Sequence, residues 1–231
     1  MDYRDRHVIV TGGTGALGAA VVGALIEAGA ICHVPYVVAA EAERFALRQH
    51  ERVKLVAMSN LADEADVARL YGGVDQLWAS IHLVGGFAMA EVAQTTKAEL
   101  MKQLEMNLVT AFLCSRGAVN AMTGRGGRIV NVAARPALEP RSGAGMAAYT
   151  ASKAAVAALT IALAEEVAKL GILVNAVAPS IMDTPANRRD MPTADFEAWP
   201  KVEEVAATII FLASTENRVT RGGVVPVFGK S

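Results

Sequence analysis

The chain has 231 residues, of which 53% are apolar and 19% charged, and its formal net charge is −1. That composition suits one folded domain with a substantial core and excludes a disordered chain, and the near-zero charge provides no global field for nucleic acid or an anionic membrane. Cys32 and Cys114 sit in apolar runs without a CxxC pair, the histidines lack metal-ligand spacing, the N-terminus carries charges of both signs, and no apolar run reaches the roughly 18 residues of a membrane span, so a cytoplasmic protein with no metal is expected.

Residues 7–10 form a short apolar run stopped by Thr11-Gly12-Gly13 and predict a first strand. Residues 16–28 have helical spacing, with Leu17, Val21, Leu25 and Ala28 on one stripe and Gly29 as a C-terminal stop. A strand over 31–35, a helix over 41–50, a strand over 53–57, a helix near 63–71 and a strand over 77–84 follow. A long helix covers 97–122, and a glycine turn leads to a strand over 128–133. A second long helix runs from about 146 to 170 and stops at Gly171. A strand over 172–177, a helix over 202–213 and a last strand over 223–228 complete the chain. The strands are apolar throughout and do not alternate, which predicts a parallel sheet covered on both faces. Repeated βα units with right-handed crossovers give an α/β fold of Rossmann type, one doubly wound sheet of about seven strands in a single domain over residues 1–231.

The first strand runs into Thr11-Gly12-Gly13-Thr14-Gly15-Ala16-Leu17-Gly18 and then a helix. Gly12 allows the tight turn, Gly15 lets a pyrophosphate approach the backbone, and Gly18 lets the helix pack close to the sheet. The helix N-terminus offers free N–H groups and partial positive charge to the phosphates. A glycine triplet alone is weak; between the first strand and first helix of a βαβ run it points to dinucleotide binding.

Tyr149-Thr150-Ala151-Ser152-Lys153 opens the second long helix, Asn107 lies midway along the first, and Asn175-Ala176-Val177-Ala178-Pro179 leads out of the sixth strand into the stretch after it. With the glycine turn, these residues resemble the short-chain dehydrogenase/reductase family over essentially the whole chain. The resemblance implies an NAD(P)H-dependent oxidoreductase with a small-molecule substrate that assembles as a homodimer or homotetramer. In it Tyr149 is the acid/base, Lys153 activates the phenol and anchors the nicotinamide ribose, and Asn107 holds a water of the proton relay. Residues i and i+4 share a helix face, and an ammonium beside a phenol lowers its pKa from about 10 towards neutrality. The resemblance further implies cofactor contacts at Gly12, Thr14, Gly15, Ala16, Leu17, Gly18, Tyr36, Asn60, Leu61, Val84, Gly85, Gly86, Ala133, Pro179, Ser180, Ile181 and Thr184.

The departures are informative. Ala134 stands where the family usually has a serine for the reacting carbonyl, and Ser142 reads as a surface loop residue. The usual Asn-Asn-Ala-Gly after the fourth strand is His82-Leu83-Val84-Gly85, and Pro-Gly is Pro179-Ser180. Tyr36-Val37-Val38 carries neither an acid for the ribose hydroxyls nor a base for a 2′-phosphate; Arg44 and Arg48 read as solvated, which leans the cofactor towards NAD. The glycine turn, Gly85-Gly86-Phe87, the serine-free fifth strand, and the segments Asp183-Thr184-Pro185-Ala186-Asn187-Arg188 and Met191-Pro192-Thr193-Ala194-Asp195-Phe196 with Trp199 are similar to dihydropteridine reductases. That similarity implies a flat conjugated substrate near Ala134, Phe87 and Trp199. A general carbonyl or alcohol oxidoreductase of the same family is the alternative. A nucleotide-binding regulatory protein that has lost turnover is the alternative of another class, and steady cofactor oxidation by a defined substrate separates it from both.

Overall fold

The apolar runs do form strands: β1 (His7–Thr11), β2 (Ile31–Tyr36), β3 (Val53–Ala57), β4 (Leu77–His82), β5 (Gly127–Val132), β6 (Ile172–Pro179) and β7 (Val224–Val227). The computed structural model describes residues 1–231 and joins all seven strands in one sheet, ordered β3-β2-β1-β4-β5-β6-β7, with every neighbour pair parallel. The helices are α1 (Ala16–Glu27), α2 (Ala39–Arg44), α3 (Glu64–Gly72), α4 (Lys97–Leu104), α5 (Thr110–Met122), α6 (Arg135–Leu138), α7 (Ala147–Glu166), α8 (Pro185–Asp190) and α9 (Val202–Leu212).

Side chains on a strand alternate faces, and β1 shows why its sequence is apolar throughout. Val8 and Val10 join Val21 and Leu25 of α1 and Val205 and Ile209 of α9 in one core. Ile9, between them, joins Leu70 of α3, Leu113 of α5 and Ile129 of β5 in the other. Each fully buried aliphatic side chain contributes about 1.5–3 kcal/mol. Pro226 lies in β7, the edge strand, where a missing N–H interrupts no central ladder.

Four elements depart from the sequence expectation. The helix expected over 41–50 is only α2, because Phe45 turns to extended backbone and buries its ring in the core. The helix expected over 97–122 is broken by a π-turn at Glu105–Val109, which carries Asn107. The short helices α6 and α8 have no apolar period and begin with prolines in their first turns. By length and mean hydropathy (1.4), the 20-residue α7 would suffice to cross a membrane; here it packs on β5 and β6.

The chain order reverses at β1, which pairs β2 on one side and β4 on the other. In a doubly wound sheet this switch point opens a crevice at the carboxyl ends of the strands.

Candidate active site

That crevice is a cleft of about 330 Å³. The turn after β1 contributes Gly12, Gly15, Ala16, Leu17 and Gly18 to its wall, the segment after β4 Leu83, Gly85, Gly86 and Phe87, and the end of β5 Val132, Ala133 and Ala134. Tyr149 and Lys153 of α7 and Pro179, Ser180, Met182 and Thr184 after β6 close it. Residues far apart in sequence therefore converge because four parallel strands end on the same side.

Gly15 caps α1 without a side-chain hydrogen bond, so the N–H groups of the first turn are left for a ligand. A methyl on Gly18 would collide with the Gly12 carbonyl, so α1 approaches the turn as closely as it does only because Gly18 has no side chain. These features fit a pyrophosphate, and the residues beyond them fit a nicotinamide ribose beside Lys153. At Gly85 a Cβ would lie 2.6 Å from Asn107 Oδ1 and 3.1 Å from Lys153 Nζ, so a side chain there would displace those two polar groups.

Lys153 is buried and donates to the Val132 carbonyl at 2.8 Å. Burial disfavours its ammonium and brings its pKa down to about 8. Burial acts on the Tyr149 phenol in the opposite sense and pushes it up to about 12. The phenol lowered by a neighbouring lysine, expected from the i,i+4 spacing, is corrected by this geometry: the Lys153 nitrogen is engaged by β5. Tyr149 instead meets Phe87 edge-on, with ring centroids 5.0 Å apart.

Asn107 lies beneath the cleft rather than in its wall. Its Oδ1 accepts from Gly86 N at 2.9 Å, and its Nδ2 donates to Gly86 O and to Ser152 Oγ, each at 3.0 Å. Ser152 in turn donates to the Tyr149 carbonyl at 2.7 Å. The π-turn thus aims Asn107 inward so that one amide ties the loop after β4 to the first turn of α7. Ser152 stands inside the Tyr149–Lys153 segment and carries no separate signal in the sequence. Leu83, Val132 and Met182 are likewise in the wall as ordinary apolar residues that no motif singles out.

Other expected residues lie elsewhere. Trp199 is buried against Phe196, with centroids 5.1 Å apart, and is not in the cleft wall. Leu61 is buried in the core, Val84 packs at its margin, and Ile181 is exposed. Tyr36 ends β2, and Asn60 Oδ1 is turned back to Ala62 N at 2.8 Å. Thr14 in the glycine turn donates to Glu41 Oε2 at 3.3 Å. Ser142 is exposed and donates to the Glu139 carbonyl at 2.8 Å, so it does not replace the serine absent at Ala134. His82 is buried away from the cleft between Asn131 Oδ1 and Ser80 Oγ, both at 2.8 Å, and desolvation lowers its pKa to about 4.

The family model of the short chain dehydrogenases matches residues 6–195. The chain belongs to this family. Galactitol 2-dehydrogenase of Rhizobium johnstonii is 34% identical, with 98% of this chain and 97% of that one covered. The 2,3-dihydro-2,3-dihydroxybenzoate dehydrogenase of Escherichia coli is 31% identical over 93% of this chain and 92% of its own. The structure of ElxO with NADP bound superposes with a TM-score of 0.88 at 22% identity, covering 97% of this chain and 98% of that one, and so shares the fold. This short-chain dehydrogenase is a nicotinamide-dependent oxidoreductase. These relatives connect it to the family at large.

Proposed function

We propose that this enzyme reduces a small, flat, conjugated ring, such as a quinonoid dihydropterin or a quinone, with Tyr149 as proton donor. Bound against the glycine turn and Lys153, a reduced nicotinamide supplies the hydride. Lys153 holds the ribose side of that site, Phe87 offers an aromatic face beside Tyr149, and Tyr149 passes its phenolic proton to the substrate heteroatom.

One observation carries this reading. Of the hydroxyls in the cleft wall, Ser180 is committed to the Phe228 carbonyl at 2.9 Å, Thr184 accepts from Asn187 N as the cap of α8 and keeps its own proton, and Ala134, at the end of β5, has none. No serine at the end of β5 therefore assists Tyr149, which stands beside Phe87. An oxyanion donor is worth roughly 3 kcal/mol of transition-state stabilisation, so an acceptor that is already electron-poor suits this site better than a simple ketone. The 31% identity to the dihydrodihydroxybenzoate dehydrogenase favours a second reading, oxidation of a cyclic diol. A side-by-side assay with quinonoid dihydropterin, a quinone, simple ketones and cyclic diols separates them. Turnover of the activated acceptors at least about tenfold faster than ketones is expected; faster ketone or diol turnover overturns the proposal, and no turnover of any substrate favours the regulatory alternative.

The preferred cofactor is NAD(H). Its support is Glu41, whose carboxylate stands beside Thr14 of the glycine turn, while Arg48 is occupied with the Phe45 carbonyl at 3.4 Å. A carboxylate there suits ribose hydroxyls and repels a 2′-phosphate. In Glu41→Gln the ratio of NADP to NAD dissociation constants should fall by about fivefold or more, as removal of a like charge implies; an unchanged ratio refutes the assignment. The exposed Phe112 of α5 and Ile161 of α7 support self-association through those helices, which sedimentation equilibrium tests.

A further inference from the structure

We propose that the end of the sheet opposite the cleft holds a second ligand site, for a phosphate-type polyanion bound by Arg6 and Arg125 beside Trp78. A cavity of about 430 Å³ lies there, with Arg6, Gln76, Trp78 and Arg125 in its wall. It sits where the chain enters β1, β4 and β5, so it is separate from the cleft at the strands' other ends.

Positive charge is in excess in this cavity, whose wall holds Arg4, Arg6 and Arg125 against Asp5. Arg4 is paired to Asp2 at 2.8 Å, and the carboxylate in the wall, Asp5, is 82% exposed and turned to Arg52 at 3.3 Å. Neither Arg6 nor Arg125 joins any ion pair of the chain. The Arg6 guanidinium lies 3.9 Å over the Trp78 ring, and that of Arg128 is 5.0 Å from the same ring. Arg128 is buried and gives its N–H groups to the carbonyls of Gly127, Ser214 and Asn217, dipoles that satisfy its donors without cancelling its charge. Burial, together with repulsion from Arg6, holds Arg128 below the ordinary arginine range.

The backbone points the same way. Asp5 (φ 56°) and Gln76 (φ 53°), both in the wall, are the only non-glycine residues of the chain in the left-handed region. Such conformations are held by their surroundings and cluster at binding sites. Guanidinium forks match the oxygens of phosphate groups, and the cavity exceeds one tetrahedral oxyanion, so a pyrophosphate-sized polyanion is the fitting class.

Trp78 is the natural reporter, because the chain's other tryptophan is Trp199. Pyrophosphate is titrated into the Trp199→Phe chain with NAD present to fill the cleft, following indole fluorescence, and calorimetry on the wild-type chain repeats the measurement without that substitution. Saturable binding is expected in both, weakening with added salt. The Arg6→Gln/Arg125→Gln chain should bind at least about tenfold more weakly, as loss of charge-assisted hydrogen bonds implies, while hydride transfer is unchanged. Citrate should bind more weakly than pyrophosphate. Absence of saturable binding, equal affinity in the double variant, or equal affinity for citrate overturns the proposal.

Discussion

Replacing Lys153 with methionine should abolish turnover and yet stabilise the protein at neutral pH. The lysine is the one fully buried ammonium at the cleft, and its pKa falls from 10.5 to about 8 through desolvation. A displacement of that size corresponds to about 3 kcal/mol of folding free energy at pH 7. Below about pH 8 the amine is charged in both the folded and unfolded chains, so the penalty is constant. Between there and 10.5 the folded protein has released the proton while the unfolded chain keeps it, so wild-type stability rises with pH and the penalty fades. At pH 10 about 1 kcal/mol of it remains. Lys153→Met removes the penalty at every pH but leaves the Val132 carbonyl without its donor, a loss of about 1 kcal/mol that does not titrate. The gap between variant and wild type should therefore shrink by about 2 kcal/mol from pH 7 to pH 10. For a chain of this length that is roughly 4–8 °C in Tm. Paired thermal and urea denaturation at the two pH values measures it. A gap that does not change with pH would show that Lys153 is not a desolvated ammonium, whatever the variant's activity.

Tyr149→Phe should retain cofactor affinity and Tm while hydride transfer falls at least about 10²-fold, the usual scale for a positioned acid; steady-state rates and cofactor titration check both halves. Asn107→Ala leaves both backbone groups of Gly86 and the Ser152 hydroxyl without their partner, and should lower stability by about 2–3 kcal/mol in urea melts; an unchanged midpoint refutes the tie between the loop after β4 and α7. His82, held neutral by burial with its pKa lowered from 6.5 to about 4, makes wild-type stability fall as pH drops through that window, because the unfolded chain takes up the proton first. His82→Asn should flatten that part of the acid-denaturation profile, and an identical profile in the variant contradicts a buried neutral imidazole.

The fold was legible because its signals are dense and redundant. The strands read as unbroken apolar runs for the reason seen at β1, where Val8 and Val10 enter one core and Ile9 the other. The glycine turn was legible for a similar reason, since Gly18 is fixed by a steric contact that no other residue permits. Element ends were less so. Phe45 stops α2 by burying itself, a tertiary event with no local signature, and the π-turn at Glu105–Val109 leaves the apolar spacing of α4 and α5 almost undisturbed.

The site divides along the same line. Tyr149 and Lys153 were found because chemistry demands both residue types on one helix face, but the sequence does not say which acceptor the ammonium meets. Here Lys153 reaches Val132, and the electrostatic argument from spacing alone predicts the wrong direction for the phenol. Trp199 shows the complementary failure. Composition groups it with Phe87 as a flat surface for a ring, yet Phe196 lies three positions before it and offers a partner within the same short segment, so the indole is buried there. Phe87 follows two glycines and has no such neighbour in sequence; its ring remains 61% exposed and stands against Tyr149. Trp199 is thus taken up by its own segment, whereas the segment of Phe87 leaves its ring to the cleft. That is why Phe87, rather than Trp199, stands in the cleft wall beside Tyr149.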